Sequence, residues 1–566
     1  MGTLDLKIMD SLAKVFPDEE PAGAESLSIS ALRGETVSAV VAYWGAPAER
    51  KNWRVTVEAP GGIDVRLRSV ELVPSSYPCH AQQDEDYLRT KPGLFPDLLR
   101  GLDTADGAYA VQDVPGQWRS LWLDVCSAQT GAVKDGGAKT KDAAAFCGDA
   151  EIVVRFCAAD GTKKHVTLNL HVVDADIPEQ KLLHTEWFHS DCLADYYHVE
   201  AFSEEHWAIL ENFIRCYASR GINTILTPVV TPALDTEVGG ERTTVQLVKI
   251  VKEDGSYSFD FTELKRWITL CEKYGITHFE MAHLFTQWGA KHAPKIMAWE
   301  NGEYRRIFGW ETAADGEEYA GFLAQYLTAL TGFLKEEGLQ DRTFFHISDE
   351  PSENDLESYE KARELVLPYI KGFQTIDALS DPLFYEKGLV ELFAPANDHI
   401  EPFLEKKVEG LWTYYCTSQW KDVSNRFMSM PSARNRILGV QLYLYQIAGF
   451  LHWGFNFYNT QYSKKHLDPY AETAAGSVFP SGDSFLVYPG EGGMPEESVR
   501  LMVLYEALED IRAFELLESL AGRERVCEII GEGLEEPITF KKYPKDSAWL
   551  IGLRERINAE IEKAKR

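Results

Sequence analysis

Positive charge is scarce in this sequence. Its 566 residues include 57 Lys and Arg against 88 Asp and Glu, which gives a formal net charge of −31. A surface this negative repels phosphate backbones and anionic lipid headgroups. The chain also lacks any run of about 18 apolar residues, the length that a membrane span needs. We therefore expect neither nucleic acid nor a membrane among its partners.

The nine cysteines have no metal-binding spacing. They are scattered along the chain, without a CxxC pair and with an odd total, which argues against a disulfide framework and a zinc knuckle. Residues 1–6 contain no basic stretch followed by an apolar run. We expect reduced thiols and a cytoplasmic protein, although a signal peptide that had been removed would leave the same sequence.

Sites for metals and nucleotides are also missing from the pattern. His184, His189, Asp191 and His283 are candidate ligands, but two ligands on one strand usually lie two residues apart, and His184 and His189 are five apart. The paired glycines at 239–240 and 492–493 lack the spacing of a phosphate-binding loop. We expect no metal and no cofactor.

The first third of the chain has the alternation of an antiparallel β-sandwich. Short segments at 26–30, 37–43, 53–58 and 121–125 alternate apolar and polar residues, and 152–158 and 165–173 flank a turn as a hairpin does. The polar, proline-containing stretch 174–178 then interrupts the pattern. We predict an N-terminal sandwich domain over residues 1–175.

From residue 176 the rhythm changes to alternating strands and helices. The predicted helices are 204–219, 262–274, 317–335, 354–367 and 431–447, and a further helical run covers 496–517. Eight candidate strands with mostly helical crossovers predict a (β/α)8 barrel over 176–518, followed by a C-terminal helical extension over 519–566. The predicted strands are 182–188, 223–227, 278–283, 343–348, 372–376, 389–394, 410–415 and 449–455.

In such a barrel the functional residues follow the strands, and the fourth strand runs into Asp349, Glu350 and Pro351. Adjacent carboxylates are costly to bury, and each raises the other's pKa, as a general acid requires. Because successive strand residues face opposite sides, both can share a site only if the backbone bends. We expect Pro351 to favour the bend by holding Glu350 extended. The competing interpretation is an ordinary helix start, which the position after strand four disfavours.

A conventional glycosidase pairs its acid with a second carboxylate, at about 5 Å in retaining enzymes and about 6.5 to 9.5 Å in inverting ones. Strand seven, at 412–416, carries no carboxylate. The pattern therefore points to catalysis assisted by the substrate's own 2-acetamido oxygen. In that scheme Asp349 holds the acetamido N–H and stabilises the oxazolinium-like charge, while Glu350 protonates the leaving oxygen and later deprotonates water.

These motifs together resemble glycoside hydrolase family 123 and the DUF4091 group, whose characterised members are β-N-acetylgalactosaminidases. The resemblance implies a sandwich, a catalytic barrel and an Asp-Glu pair at Asp349 and Glu350, with exo-acting removal of terminal β-linked N-acetylgalactosamine (GalNAc) from a glycan or glycoconjugate. Preference for the galacto over the gluco configuration comes by analogy alone. The matching segments are 184–192, 231–236, 283–290, 346–351, 430–436, 452–458 and 479–489.

The resemblance further implies aromatic and amide side chains around the sugar, for which Trp412, Tyr414, Trp453 and Asn456 are candidates. His283 and Gln287 follow strand three and are candidate substrate contacts.

Asp235 lies in a loop, where it either contacts sugar hydroxyls or caps a turn. Two other functions stay open at this point: a carbohydrate-binding protein without turnover, and a glycosidase for sugars that lack an acetamido group. The sequence also leaves open whether the chain forms a homo-oligomer.

Overall fold

The predicted alternating segments fold as two β-sheets. The computed structural model describes residues 4–46, 50–128 and 146–566, and the chain divides into two compact units. One comprises Met1–Lys181, Ser424–Leu444 and Glu496–Arg566, and the other Leu182–Val423 and Tyr445–Pro495. The predicted domain boundaries at residues 175 and 518 concern folding domains rather than packing units, and they stay a prediction.

In the first unit, one sheet is antiparallel, with the strand order Asp5–Asp10, Thr36–Trp44, Trp118–Ser127, Ile63–Ser75, Gly93–Gly101 and Pro495–Ser498. The other sheet has the order Ser26–Arg33, Lys163–Asp176, Gly148–Ala158, Asn52–Glu58, Ala108–Gln112 and Thr104–Ala105.

In this second sheet the strands also pair antiparallel, except for the first pair, which is parallel. Alternate residues of both sheets, such as Val41, Leu123 and Leu168, are fully buried and form one apolar core.

Helices of the same unit span Ser432–Leu444, Val499–Ala521, Arg523–Gly531 and Ser547–Lys565. The long helix Val499–Ala521 begins at Ser498, whose side chain accepts a hydrogen bond from the N–H of Leu501. Buried ion pairs cross between the helices, including Arg436 with Asp510 at 2.8 Å. The helical character predicted for 496–517 and for the C-terminal extension is therefore observed.

The second unit contains the predicted barrel. Eight parallel strands form one sheet, and every one of them overlaps the strand predicted at that place. The sheet closes into a barrel between the sixth and seventh strands in chain order. There the N–H of Asn397 donates to the carbonyl of Tyr414 at 2.8 Å. The predicted fold class is thus confirmed. In chain order, barrel strands one to eight are Leu183–Glu186, Thr224–Thr227, His278–Met281, Thr343–Phe345, Gln374–Ala378, Leu392–Ala394, Trp412–Tyr414 and Gly449–His452.

Helices follow most of these strands. Glu204–Ser219 coincides with its prediction, and its N-cap Ser203 accepts a hydrogen bond from the N–H of His206. The others of this unit are Ser190–Tyr197, Thr262–Lys273, Glu317–Glu336, Leu356–Val366, Pro382–Glu386 and Glu401–Glu405. No helix among residues 4–46, 50–128 and 146–566 combines the length and the apolar character needed to cross a membrane.

A four-stranded accessory sheet, absent from the sequence-based prediction, is built from the loops after barrel strands two and three. Its strands are Lys249–Glu253, Ser256–Asp260, Ile296–Glu300 and Glu303–Phe308. Two hairpins supply them, and their turns are Asp254-Gly255 and Asn301-Gly302, all four residues with positive φ. Such dipeptides are the strongest short-range hairpin signal, so the sequence did contain the information.

Candidate functional site

A cavity of about 200 Å³ lies where the barrel strands end. Its walls come from strand ends and their loops on almost every side of the barrel, as expected for a (β/α)8 protein. The lining residues that sequence reasoning also named are Asp235, Gln287, Asp349, Glu350, Tyr414 and Trp453. Those it did not name include Trp187, Trp288, Cys416, Gln461 and Phe479.

The backbone bends sharply at the predicted acid pair. Glu350 has φ of +45°, in the left-handed region that a large side chain rarely adopts. The expectation that Pro351 holds Glu350 extended is therefore wrong. The bend arises because neighbouring segments fix the chain: the N–H of Glu350 donates to the carbonyl of Ala378 at 3.2 Å, and the N–H of Trp288 donates to that of Asp349 at 2.9 Å. Strained backbone of this kind concentrates at functional sites.

The helix start that competed with this interpretation lies further along the chain. Ser352 and Asp355 form a capping box there, ahead of the helix Leu356–Val366. Asp349 and Glu350 do not take part in it, and both line the cavity instead. The position after strand four, rather than the Asp-Glu-Pro triplet itself, was the informative signal.

The two carboxyl groups share a desolvated, negatively charged environment. Burial and the charge of Glu350 raise the pKa of Asp349 well above its ordinary value, and the charge of His346 opposes this shift. Burial also raises the pKa of Glu350, against a hydrogen bond from Tyr414 that lowers it. By accessible surface Glu350 is exposed and Asp349 half-buried, yet the protein packed around both carboxyl groups disfavours their charge. The pair is thus suited to retain a proton, as acid catalysis needs.

Tyr414 and Cys416 face the pair from the end of strand seven. The hydroxyl of Tyr414 donates to Oε1 of Glu350 at 2.6 Å. Burial and the charge of Glu350 raise the pKa of the Cys416 thiol well above its ordinary range, so this sulfur stays protonated and is a poor nucleophile. Strand seven therefore presents hydrogen-bonding groups to the cavity and no carboxylate.

Two indole rings form fixed walls of the cavity. Nε1 of Trp187 donates to Oε2 of Glu280 at 2.9 Å, and Nε1 of Trp453 donates to Oδ2 of Asp483 at 3.0 Å. The ring of Trp453 also packs edge-on against Phe479, with centroids 5.4 Å apart. Trp187 directly follows strand one, so its position alone could have marked it as a site residue.

Asp235 makes hydrogen bonds within the loops and also lines the cavity. Its Oδ2 accepts the N–H of Tyr462 at 3.0 Å, and its own N–H donates to Oε1 of Gln287 at 2.6 Å. At the same time its side chain lines the cavity. Burial, opposed by the Tyr462 N–H and by Arg242, raises the pKa of Asp235 to about 6. A third carboxyl group thus faces the same space as the acid pair.

An aromatic edge lies at the cavity opening. Trp288 lines the cavity although the residue is 41% exposed, and its φ is +57°. Its ring meets that of Tyr462 edge to face at 5.8 Å. An exposed, strained tryptophan beside a sugar-sized cavity favours a binding role over a packing role.

Three predicted substrate contacts do not reach the cavity wall. Trp412 is buried in the barrel core, where its ring packs edge-on against Phe344 at 5.7 Å. Trp412 and Tyr414 face the same side of the strand, but Trp412 lies two residues further from the cavity.

The other two also act inside the protein. The amide of Asn456 bonds both backbone groups of His189, at 2.8 and 3.1 Å. His283 is stacked on His346 with ring centroids 4.3 Å apart. The described part of the chain contains no group of three or more His, Cys, Asp or Glu side chains placed to hold a metal ion.

A family of known proteins matches the part of the chain that forms this barrel. The family described as "Glycoside hydrolase 123, catalytic domain" matches residues 187–517. A family 123 glycoside hydrolase from Clostridium perfringens, described in relation to glycolipid glycan hydrolysis, superimposes with a TM-score of 0.75 at 16% identity, covering 100% of this chain and 99% of that one. That likeness shows a common fold. No curated protein sequence matches the chain.

Two other solved structures give TM-scores below 0.5. A GH5 xyloglucanase from Bacteroides ovatus gives a TM-score of 0.32 at 8% identity, covering 89% of this chain and 100% of that one. A GH2 β-galacturonidase from Eisenbergiella tayi gives 0.29 at 11% identity, covering 90% and 72%.

Proposed function

Because the chain belongs to glycoside hydrolase family 123, and hence is a glycoside hydrolase, we propose that it removes terminal β-linked GalNAc by an exo-acting, acetamido-assisted mechanism with retention of configuration. One observation carries the proposal. Asp349 and Glu350 lie side by side in the cavity, while strand seven offers a phenol and a protonated thiol. A substrate that brings its own nucleophile suits that arrangement.

The chemistry proceeds in two steps. The acetamido oxygen attacks the anomeric carbon as the glycosidic C–O bond breaks, and Glu350 gives its proton to the departing oxygen. Asp349 accepts the acetamido N–H and balances the positive charge of the oxazolinium ring. Glu350, now a carboxylate, takes a proton from water as that water attacks the anomeric carbon and opens the ring. Two inversions at one carbon leave the β configuration unchanged.

Substrate binding has to distribute the proton correctly between the two acids. In the empty site the pKa of both acids is raised, including that of Asp349, the residue that must be ionised. An amide N–H donated to Asp349 favours its carboxylate form, and the growing positive charge does so further. The proton then resides on Glu350, which is the proposed acid. The two groups titrate as a coupled pair.

The aromatic walls account for the sugar-binding part of the proposal. Trp187, Trp453 and Phe479 offer apolar surface to the C–H faces of a pyranose, and Asp235 and Gln287 offer polar atoms to its hydroxyls. The galacto configuration is taken from the family resemblance. The description of the C. perfringens enzyme, which concerns glycolipid glycans, supports a glycoconjugate as the natural substrate.

A panel of p-nitrophenyl glycosides tests the proposal. We expect turnover of the β-GalNAc substrate well above that of the β-Gal and β-Glc substrates, with β-GlcNAc measured to define the preference. A GalNAc-derived thiazoline, which mimics the oxazolinium ring, should inhibit strongly. Turnover of β-Gal or β-Glc without thiazoline inhibition would refute acetamido assistance.

A conventional two-carboxylate glycosidase is the second candidate, because Asp235 shares the cavity with the acid pair. In that case Asp235 would form a covalent glycosyl intermediate, and Asp235→Asn would abolish turnover of every substrate. Under the acetamido-assisted mechanism the same variant lowers kcat/KM by about tenfold through one weakened hydrogen bond to the sugar. A carbohydrate-binding protein without turnover would hydrolyse none of the p-nitrophenyl glycosides.

A further inference from the structure

A buried ionic triad lies beside the acid pair in the barrel interior. Nε2 of His346 is 3.5 Å from Oε2 of Glu280, and its Nδ1 is 3.5 Å from Oδ1 of Asp377. All three side chains are completely inaccessible to solvent. They come from the third, fourth and fifth barrel strands or the residues directly after them. Fold stability alone rarely calls for such a group, since replacing buried ions by apolar residues is often neutral.

The surroundings of the two acidic side chains bear on where the proton of the triad resides. Asp377 accepts the hydroxyl of Tyr359 at 2.5 Å and the N–H of Ile347 at 3.1 Å, and Glu280 accepts the indole N–H of Trp187. The donors to Asp377 favour its carboxylate form, although burial raises its pKa. Two acidic side chains within 3.5 Å of one imidazole favour the charged form of His346.

The other groups that face His346 agree with that charge. Burial lowers the pKa of His346, but Asp377 and Glu280 outweigh burial and raise it to about 9. His283 stacks on the same ring, and burial together with the His346 charge holds the pKa of His283 well below its ordinary value. One ring of the stacked pair is thus cationic and the other neutral.

The positive charge of His346 acts on Asp349, which lies three residues further along the chain. Apart from burial, the charges that raise the pKa of Asp349 are those of Glu350, Asp377 and Asp235, whereas His346 lowers it more strongly than Asp377 raises it. Asp349 must be ionised to stabilise an oxazolinium ring, although its other surroundings favour the neutral form.

We propose that His346 is a positioning residue whose positive charge, fixed between Glu280 and Asp377, favours the carboxylate form of Asp349 when the substrate is bound. The inference rests on the proposed function, because it assigns the charge a purpose only if Asp349 works as a carboxylate. Trp187 extends the arrangement into the cavity, since its indole is oriented by the same Glu280. The buried triad therefore orients a wall of the cavity and also favours the ionised form of Asp349.

The test is the pH profile of kcat/KM for a p-nitrophenyl β-GalNAc substrate, whose leaving group needs little protonation. With this substrate the acidic limb reports ionisation of the coupled Asp349 and Glu350 pair in the free enzyme. Removing the cation by His346→Gln raises the pKa of Asp349, so activity is lost at low pH and recovers as the pH rises. We expect the limb to move upward by about one pH unit, which is a tenfold loss below it.

His452→Gln is the matched control. His452 is equally buried in the same barrel, and it too lies between two carboxylates, Glu186 at 3.6 Å and Asp483 at 3.4 Å. We expect this variant to be destabilised without any shift of the limb. An unshifted limb in folded His346→Gln, or equal shifts in both variants, would overturn the proposal.

Two further measurements separate the remaining outcomes. If His346→Gln does not fold, neutron diffraction of the wild-type protein at about pH 8, above the ordinary histidine pKa of about 6.5, shows the proton directly. Deuterium on both ring nitrogens supports the proposal, and deuterium on one overturns it. If the wild-type protein is inactive on every β-N-acetylhexosaminide, or Asp349→Asn keeps full activity, the proposed function fails instead.

Discussion

Tyr414 and Glu350 are joined by a 2.6 Å hydrogen bond in which the phenol is the donor. The bond links the end of strand seven to the proposed acid after strand four. Because the donor favours the ionised carboxylate, it lowers a pKa that burial raises. Tyr414 thus sets both the direction of the Glu350 side chain and its readiness to release a proton.

Tyr414→Phe should therefore change the alkaline limb of the pH profile. Without the donor the pKa of Glu350 rises, so the acid form persists to higher pH and the limb moves upward. We expect kcat for a disaccharide substrate to fall by about ten- to a hundredfold as the carboxyl group loses its orientation. Tyr415→Phe, at the neighbouring position outside the cavity lining, is the control and should leave the limb in place.

Glu350→Ala should separate substrates by their leaving groups. A sugar leaving group needs its oxygen protonated, so kcat/KM should fall by about 10²- to 10⁴-fold. p-Nitrophenol leaves without much help, and its release should suffer far less. Added azide should restore part of the lost turnover by replacing the water that Glu350 activates. Equal losses for both leaving groups would contradict the assignment of Glu350 as the acid.

Asp349→Asn should damage both classes of substrate alike. The amide cannot balance the oxazolinium charge, so the loss should reach about 10²-fold or more whatever the leaving group. Binding of the thiazoline should weaken in parallel, as measured by its inhibition constant. Glu353→Ala, an exposed carboxylate close by in the chain, provides the reference. Retention of thiazoline affinity in Asp349→Asn would count against its proposed contact.

Trp288→Ala should impair recognition of the sugar on the leaving-group side. The exposed indole offers a stacking surface at the cavity opening, and stacking is worth about 1 kcal/mol. We expect KM for a β-GalNAc-terminated oligosaccharide to rise about fivefold, with a smaller change in kcat. Trp299, on the accessory sheet, has the same 41% exposure but does not line the cavity. Trp299→Ala should therefore behave like the wild-type protein.

Much of the fold could be read from periodicity. The eight barrel strands were each predicted at the right place, because buried parallel strands are short, strongly apolar runs between amphipathic helices. The helix Glu204–Ser219 was predicted to the residue since its capping serine precedes a regular apolar face. The accessory sheet was not predicted, because its strands are partly exposed and lie within loops. There the turn dipeptides were the only strong signal.

The site was predictable only in part. Asp349 and Glu350 follow a strand, and position in the chain is enough to bring them to the cavity. Trp412 and Tyr414 belong to the same strand, yet only Tyr414 reaches the cavity, because depth along a barrel strand depends on the closure of the sheet. Gln461 and Phe479 come from long loops after strand eight, whose path depends on contacts with distant residues.

The hydrogen bond from the Trp288 N–H to the Asp349 carbonyl ties the opening of the cavity to its floor. A second tie runs from Gln287, the residue before Trp288, through Asp235 to Tyr462. These hydrogen bonds connect four loops around the cavity to one another. Because the main chain of Trp288 is hydrogen-bonded to that of Asp349, we expect binding of the leaving sugar at the exposed indole to be coupled to the alignment of the two carboxyl groups.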